Sequence, residues 1–223
     1  MNTAWPQGKN FERNWMPALN HTTSANRSGP LKVYLIAPKT PGSFWSMQGT
    51  VDAVGVKSLM PSSPLATLIS LTPKDLDVTY HYCGENISTI DFDHPCDLVA
   101  ISGYTLHAER IAKLSSGFRT RGIPVAIGGA FATLDTELAR PLADHLFVRE
   151  AEYTWPKFLK QFSQNDAGSE YIQEKFIDIK DSPPPDWSFI NGKDYLYLTV
   201  QTARGCPNHC DFCDAVRIIG HKH

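Results

Sequence analysis

The chain has 223 residues, 42% hydrophobic and 20% charged, with a formal net charge of −2. That size admits one or two domains, and so small a charge gives no electrostatic case for nucleic acid or a membrane surface as partner. No apolar run approaches the roughly 20 residues that span a bilayer, and the opening Met1-Asn2-Thr3-Ala4-Trp5-Pro6 lacks the basic segment and apolar core of a secretory signal. Five cysteines, three of them close together near the end of the sequence, fit metal binding in a reducing compartment better than disulfides. The sequence therefore reads as cytoplasmic.

Residues 1–30 are polar and aperiodic and read as a flexible extension, with Trp5, Phe11 and Trp15 as candidates for docking on the body. Residues 31–37 are apolar and β-rich, a buried first strand ended by Pro38. The connection after it runs to about Pro61, a length that is usually functional or disordered. Residues 64–71 read as a helix with proline in its first turn. Residues 77–82 read as a second strand and 97–103 as a third. The helix predicted over 106–120 carries Ile111, Leu114 and Phe118 on one stripe. Arg119, Arg121 and Gly122 suit its end. A fourth strand covers 123–127 and stops at Gly128-Gly129, a helix covers 134–142, a fifth strand covers 145–148, and a last helix starts at Thr154 with an early proline.

Strands alternating with helices across short turns imply an α/β fold, a doubly wound, Rossmann- or flavodoxin-like parallel sheet of five strands over residues 31–165. Ligands of such sheets lie beyond the carboxyl ends of the strands, where strand order reverses. The candidate loops are therefore 38–46, 102–105, 128–133 and 149–152. Ser102, Gly103, Thr105, Gly128, Gly129 and Thr133 are small or hydroxylated and allow close approach of a large ligand. No Gly-x-Gly-x-x-Gly follows the first strand, which argues against a dinucleotide. Glu150 and Glu152 read as solvated or helix-capping carboxylates rather than an acid/base pair. His81 and His94 read as surface or strand-end histidines, Cys83 and Cys96 as ordinary semi-buried thiols. No catalytic residue is assigned.

Residues 166–193 read as a linker, stiffened by Pro183-Pro184-Pro185. Residues 196–202 read as a strand that opens a second unit, 194–223. In it Cys206, Cys210 and Cys213 are separated by three residues and then two. Three thiolates so spaced can converge on one soft metal centre. A zinc site usually takes four ligands, here with His209 or His221 as the fourth. A 4Fe–4S cluster held by three cysteines would keep one iron open. Free thiols are the third possibility.

The Cys-x-x-x-Cys-x-x-Cys spacing, Phe212 before the last cysteine and the lead-in Val200-Gln201-Thr202-Ala203-Arg204-Gly205-Cys206-Pro207 resemble the cluster loop of radical SAM enzymes, especially those with a cobalamin-binding domain in front. Further matching pieces are Pro41-Gly42-Ser43-Phe44-Trp45, Ala100-Ile101-Ser102-Gly103-Tyr104-Thr105, Arg121-Gly122-Ile123-Pro124-Val125 with Gly128-Gly129, Glu150-Ala151-Glu152 with Thr154-Trp155-Pro156, and Pro184-Pro185. The resemblance covers all but the first thirty residues. It implies that Cys206, Cys210 and Cys213 hold a 4Fe–4S cluster with S-adenosylmethionine on the open iron. It implies cobalamin against Ser102, Gly103, Tyr104, Thr105, Gly128, Gly129, Thr133, Glu150, Ala151 and Glu152. The reaction implied is methyl transfer to an unactivated carbon of a small-molecule substrate, with an electron donor as partner.

Two positions depart from that family. Phe131 stands where a histidine is common, and Arg149 where a glycine is common. The cobalt-ligating Asp-x-His-x-x-Gly of other cobalamin enzymes is absent, and the resemblance implies a cofactor with neither its own base nor a protein histidine on cobalt. A complete radical SAM barrel has several strands after its cluster loop, whereas ten residues follow Cys213. The chain is therefore expected to be the front part of a longer enzyme or a truncated relative. A non-catalytic cobalamin-binding module and a structural zinc or interaction protein remain as alternatives.

Overall fold

The computed structural model describes residues 29–43 and 46–221. The proposed docking of Trp5, Phe11 and Trp15 lies outside the described residues, as do Phe44 and Trp45. Six strands form one parallel sheet: Leu31–Ala37 (β1), Val78–Gly84 (β2), Leu98–Ser102 (β3), Val125–Gly128 (β4), His145–Val148 (β5) and Glu170–Ile172 (β6). Their order is β2-β1-β3-β4-β5-β6. The helices are Gln48–Val54 (α1), Ser63–Ser70 (α2), Ala108–Arg119 (α3), Ala130–Leu134 (α4), Thr136–Ala139 (α5), Thr154–Ser163 (α6) and Ala215–Ile219 (α7).

The central strands are buried on both faces, which is why they read as unbroken apolar runs. Successive side chains alternate between faces. Tyr34, Ile36, Val99, Ile101, Val125, Ile127 and Leu146 face one core with Ile111, Leu114 and Phe118 of α3, Phe131 and Ala132 of α4, and Ala139 of α5. Leu31, Val33, Leu35, Leu98, Ala100, Ala126 and Phe147 face the other with Leu65 of α2 and Trp155, Phe158, Leu159 and Phe162 of α6. Helices on both faces confirm the doubly wound α/β class.

Four expectations need correction. The sheet has six strands, not five, because β6 lies inside the stretch read as a linker. Three residues carry too little pattern to announce a strand, but Tyr171 stacks on Phe147 at 5.1 Å and pairs in register with it. The rest of that stretch is strapped to the body. Ser70 Oγ donates to Pro184 O at 2.7 Å, Asp186 N donates to Ala66 O, and Phe189 packs on Tyr82. Residues 196–202 form no strand; the nearby pairing is a single bridge between Ser58 and Tyr195. The helix over 134–142 is broken, since Asp135 leaves helical geometry (φ −121°, ψ 47°) between α4 and α5 and the last turn tightens to 3₁₀ at Arg140–Leu142. The long connection after β1 also holds α1, anchored by buried Val51.

Candidate functional site

Strand order reverses between β1 and β3, so the crevice begins where β1 and β3 end. The loop after β1 is held by Glu85, whose carboxylate accepts Lys39 N at 2.9 Å and Arg110 Nε at 2.8 Å. Burial alone would raise this carboxyl, but the bonds from Arg110 and Lys39 outweigh it and hold Glu85 below the usual range. Thr40 Oγ1 lies 3.4 Å from His107 Nε2, while His107 Nδ1 accepts Tyr104 N at 3.0 Å. His107 is buried, and burial depresses its pKa despite nearby Glu85. A ring nitrogen that accepts a backbone N–H must be unprotonated. Neutral His107 therefore shapes the turn at Tyr104-Thr105.

The loops after β3 and β4 touch through glycine. Gly129 sits at φ 88°, ψ −167°, and a Cβ there would lie 2.7 Å from Ser102 Oγ and 2.9 Å from Gly103 O. Phe131 N donates to Gly103 O at 3.0 Å, closing the two loops on each other. Thr105 Oγ1 donates to Asp135 Oδ2 at 2.6 Å. Thr133 Oγ1 accepts Arg149 N at 2.8 Å, which ties α4 to the end of β5. The structure thus brings Ser102, Gly103, Tyr104, Thr105, Gly128, Gly129 and Thr133 to one end of the sheet. Tyr104, Leu106 and Tyr153, in the connections at that end, are each more than half exposed.

At both positions that depart from the resemblance the side chain is engaged by the protein itself. Phe131 is 1% exposed in the core. Arg149 takes φ 70°, the left-handed conformation that glycine adopts freely. Its guanidinium donates to Glu174 O at 3.1 Å and lies over the Phe176 ring.

Glu150 and Glu152 are neither solvated nor capping; α6 has no side-chain cap. Both are buried and both accept from Arg204 Nη1, Glu150 at 3.1 Å. Glu150 also accepts Ile177 N at 2.7 Å and Gln173 Nε2, and Glu152 accepts Ser182 Oγ at 3.0 Å. Burial raises the Glu150 pKa against the pull of those donors. Ala151 is half-buried between the two acids. Arg204, Ser182, Gln173, His107 and Asp135 were not singled out from sequence. Arg204 stands 54 and 52 residues from its partners, a separation that leaves no local signal. The unbalanced Glu-Ala-Glu was the one hint that a cation was needed.

The cysteine loop starts two residues after Arg204. Gly205 turns the chain at φ 101°, Cys206 N donates to Gly220 O at 3.0 Å, and Cys213 N donates to Cys210 O at 3.0 Å. The loop is thereby closed on itself, and α7 packs against α4 at the carboxyl end of the sheet. All three thiols are free; Cys206 is half-buried, Cys210 and Cys213 exposed. Phe212 is 91% exposed and the His209 and His221 rings are 4.3 Å apart. Three thiols on one loop are suitable donors for an iron–sulfur cluster. Among the described residues, however, no three Cys, His, Asp or Glu side chains are gathered closely enough to hold a metal ion. The donor set fits, while the loop would have to close further around its centre.

No protein-family model matches the chain. It is 30% identical over 195 residues to an uncharacterized methyltransferase of Synechocystis sp., covering 86% of this chain and 36% of that protein. It is 28% identical over 171 residues to the bacteriochlorophyllide d C-8(2)-methyltransferase of Chlorobaculum tepidum, 71% of this chain and 37% of the relative. It is 22% identical over 198 residues to the hopanoid C-2 methylase of Rhodopseudomonas palustris, 86% and 37%. The chain spans little more than a third of the length of these relatives, all of which are named as enzymes that transfer methyl groups.

Proposed function

We propose that this chain is the cofactor-binding front part of a cobalamin-dependent radical SAM methyltransferase acting on a small molecule. The observation that carries the reading is the cysteine loop docked beside the carboxyl end of a doubly wound sheet, in a chain whose relatives are named methyltransferases. Cys206, Cys210 and Cys213 would hold a 4Fe–4S cluster with S-adenosylmethionine on its open iron. Cobalamin would rest on Ser102, Gly103, Tyr104, Thr105, Gly128, Gly129 and Thr133, with Glu150, Ala151 and Glu152 bordering it. When bound, these groups supply radical chemistry and a methyl carrier, and an external electron donor is required. The protein contributes the platform. Neutral His107 and the Thr105–Asp135 bond fix the β3 turn, Gly129 lets two loops meet, and exposed Tyr104 offers an apolar contact. Glu150 and Glu152 act through Arg204, since their carboxylates face its guanidinium.

The unit that carries the sheet reaches at least Ile172, and the cysteine loop belongs to the second unit. No helix among the described residues is long and apolar enough to cross a membrane. The clustered free thiols support a reducing, cytoplasmic setting.

A second reading, structural zinc, rests on the closeness of His209 and His221 to each other in the same loop. Anaerobic purification, reconstitution with iron and sulfide, and metal analysis separate the two. The expected result is about four irons and four sulfides per chain with broad visible absorption, abolished by the double change C206A/C210A. Colourless protein with one tightly held zinc would overturn the cluster. Cobalamin binding without any cleavage of S-adenosylmethionine by the intact enzyme would instead mark a non-catalytic module.

A further inference from the structure

We infer that Arg204 is a positioning residue that locks the base of the cysteine loop to the carboxyl end of the sheet, so that both candidate cofactor sites share one rigid frame. The inference rests on the reading above for its purpose, but the lock itself is independent of any cofactor.

The guanidinium is engaged on every side. Nη1 donates to Glu150 and Glu152, Nη2 to Ser182 Oγ at 3.3 Å and Gln201 Oε1 at 2.9 Å, and Nε to Gln201 Oε1 at 3.2 Å. Its side chain is 12% exposed, those of Glu150 and Glu152 6% and 7%. Through these partners it joins the β5–α6 loop, the strap at Ser182 and the chain two residues before Cys206. Gly205 then turns at φ 101°, so the lock sets the direction in which Cys206 leaves. A second anchor sits at the far end of the loop. Gly220, whose carbonyl accepts Cys206 N, lies so close to the Phe176 ring that a Cβ would fall 2.6 Å from it. Phe176 in turn lies beneath the Arg149 guanidinium.

A buried ionic group is a costly way to hold a loop, since an apolar contact of like volume is often as stable or more so. One cation between two carboxylates also leaves an uncompensated charge. What the fork adds over apolar packing is direction, because a planar guanidinium with several fixed donors accepts one geometry.

The test compares the wild type with Arg204→Gln, Arg204→Lys and the double Glu150→Gln/Glu152→Gln. Iodoacetamide alkylation of each cysteine is followed in the cofactor-free chain by peptide mass mapping, with circular dichroism to confirm folding. The lock requires Arg204→Gln to speed alkylation of half-buried Cys206 at least about tenfold, while exposed Cys210 and Cys213 change less than about twofold. Lysine, a point charge, should restore only part of the protection. Unchanged Cys206 reactivity in folded Arg204→Gln and in the double variant would overturn the lock whether or not any cofactor binds.

In cofactor-loaded chain, pulsed electron paramagnetic resonance between reduced cluster and cob(II)alamin reads the frame. A single narrow distance in wild type that broadens in Arg204→Gln, with hydroxocobalamin affinity unchanged, is the expected outcome. An equally narrow distance in both proteins would show that Arg204 does not set it. Failure of the chain to bind either cofactor would refute the functional reading and leave the lock to be judged by the alkylation rates alone.

Discussion

Gly129 is the position where the site can be challenged with one methyl group. Its backbone at φ 88°, ψ −167° lies where residues other than glycine are scarcely found, and forcing alanine there costs about 1–3 kcal/mol. The added Cβ would also press on Ser102 Oγ at 2.7 Å and on Gly103 O and N at 2.9 and 3.0 Å. Two of those three atoms are backbone and cannot rotate away, so overpacking adds about 1–3 kcal/mol. Gly129→Ala should therefore lose about 2–6 kcal/mol in urea unfolding. Gly122→Ala is the internal control. Gly122 has φ 74° with nothing within 4 Å of a Cβ, so it should lose only the left-handed strain, about 1–2 kcal/mol. The excess at Gly129 measures how tightly the β3 and β4 loops meet. Equal losses at the two glycines, or a loss below about 1 kcal/mol at Gly129, would refute the close approach.

Arg149→Gly should change thermal stability by no more than about 1 kcal/mol, because relief of left-handed strain is offset by the lost contact with Phe176 and by glycine's unfolded-state entropy; a loss above about 2 kcal/mol would mean that the side-chain contact dominates. Phe131→His should lose at least about 1–3 kcal/mol by burying an unpaired imidazole and should not improve hydroxocobalamin affinity; a gain in both would place this side chain at the ligand rather than in the core. Glu85 and Glu150 should show opposite pH dependence in thermal unfolding. Glu85 has a depressed folded-state pKa, so its contribution is present above the ordinary carboxylate range and is lost as pH falls through the folded pKa; Glu85→Gln should be less stable at neutral pH and flatter on acidification. Glu150 has a raised folded-state pKa, so its contribution is fully present below the ordinary range and is lost as pH rises through the folded value; Glu150→Gln should abolish that decline. Parallel profiles in wild type and both variants would contradict the assignment.

The class of fold was legible because the strands that build it are buried on both faces and announce themselves as apolar runs, as at 31–37 and 145–148. β6 was not legible: its three residues acquire strand geometry only by pairing with β5. Residues 196–202 erred the other way. Their β-rich composition promised a strand, but the backbone bonds that Leu196 and Tyr197 donate to Ser58 and Leu59 do not extend the bridge at Tyr195 into a ladder, and Val200 remains 85% exposed. At the site, the small residues at the strand ends were readable because their spacing is local to each loop. The lock was not, since Arg204 and its acids meet only through the strap that carries the chain back across the sheet end. Phe131 and Arg149 stood out on residue type alone; in the fold one is buried in the core and the other has its guanidinium over Phe176.

The proposal stands first on the sheet-bearing unit, so the most direct measurement is titration of the purified chain with hydroxocobalamin, read by visible absorption. The account expects saturable binding and a base-off spectrum, the state implied by the resemblance, with neither the cofactor's own base nor a protein histidine on cobalt. Absence of saturable binding would contradict it and leave a sheet that keeps the fold without the ligand.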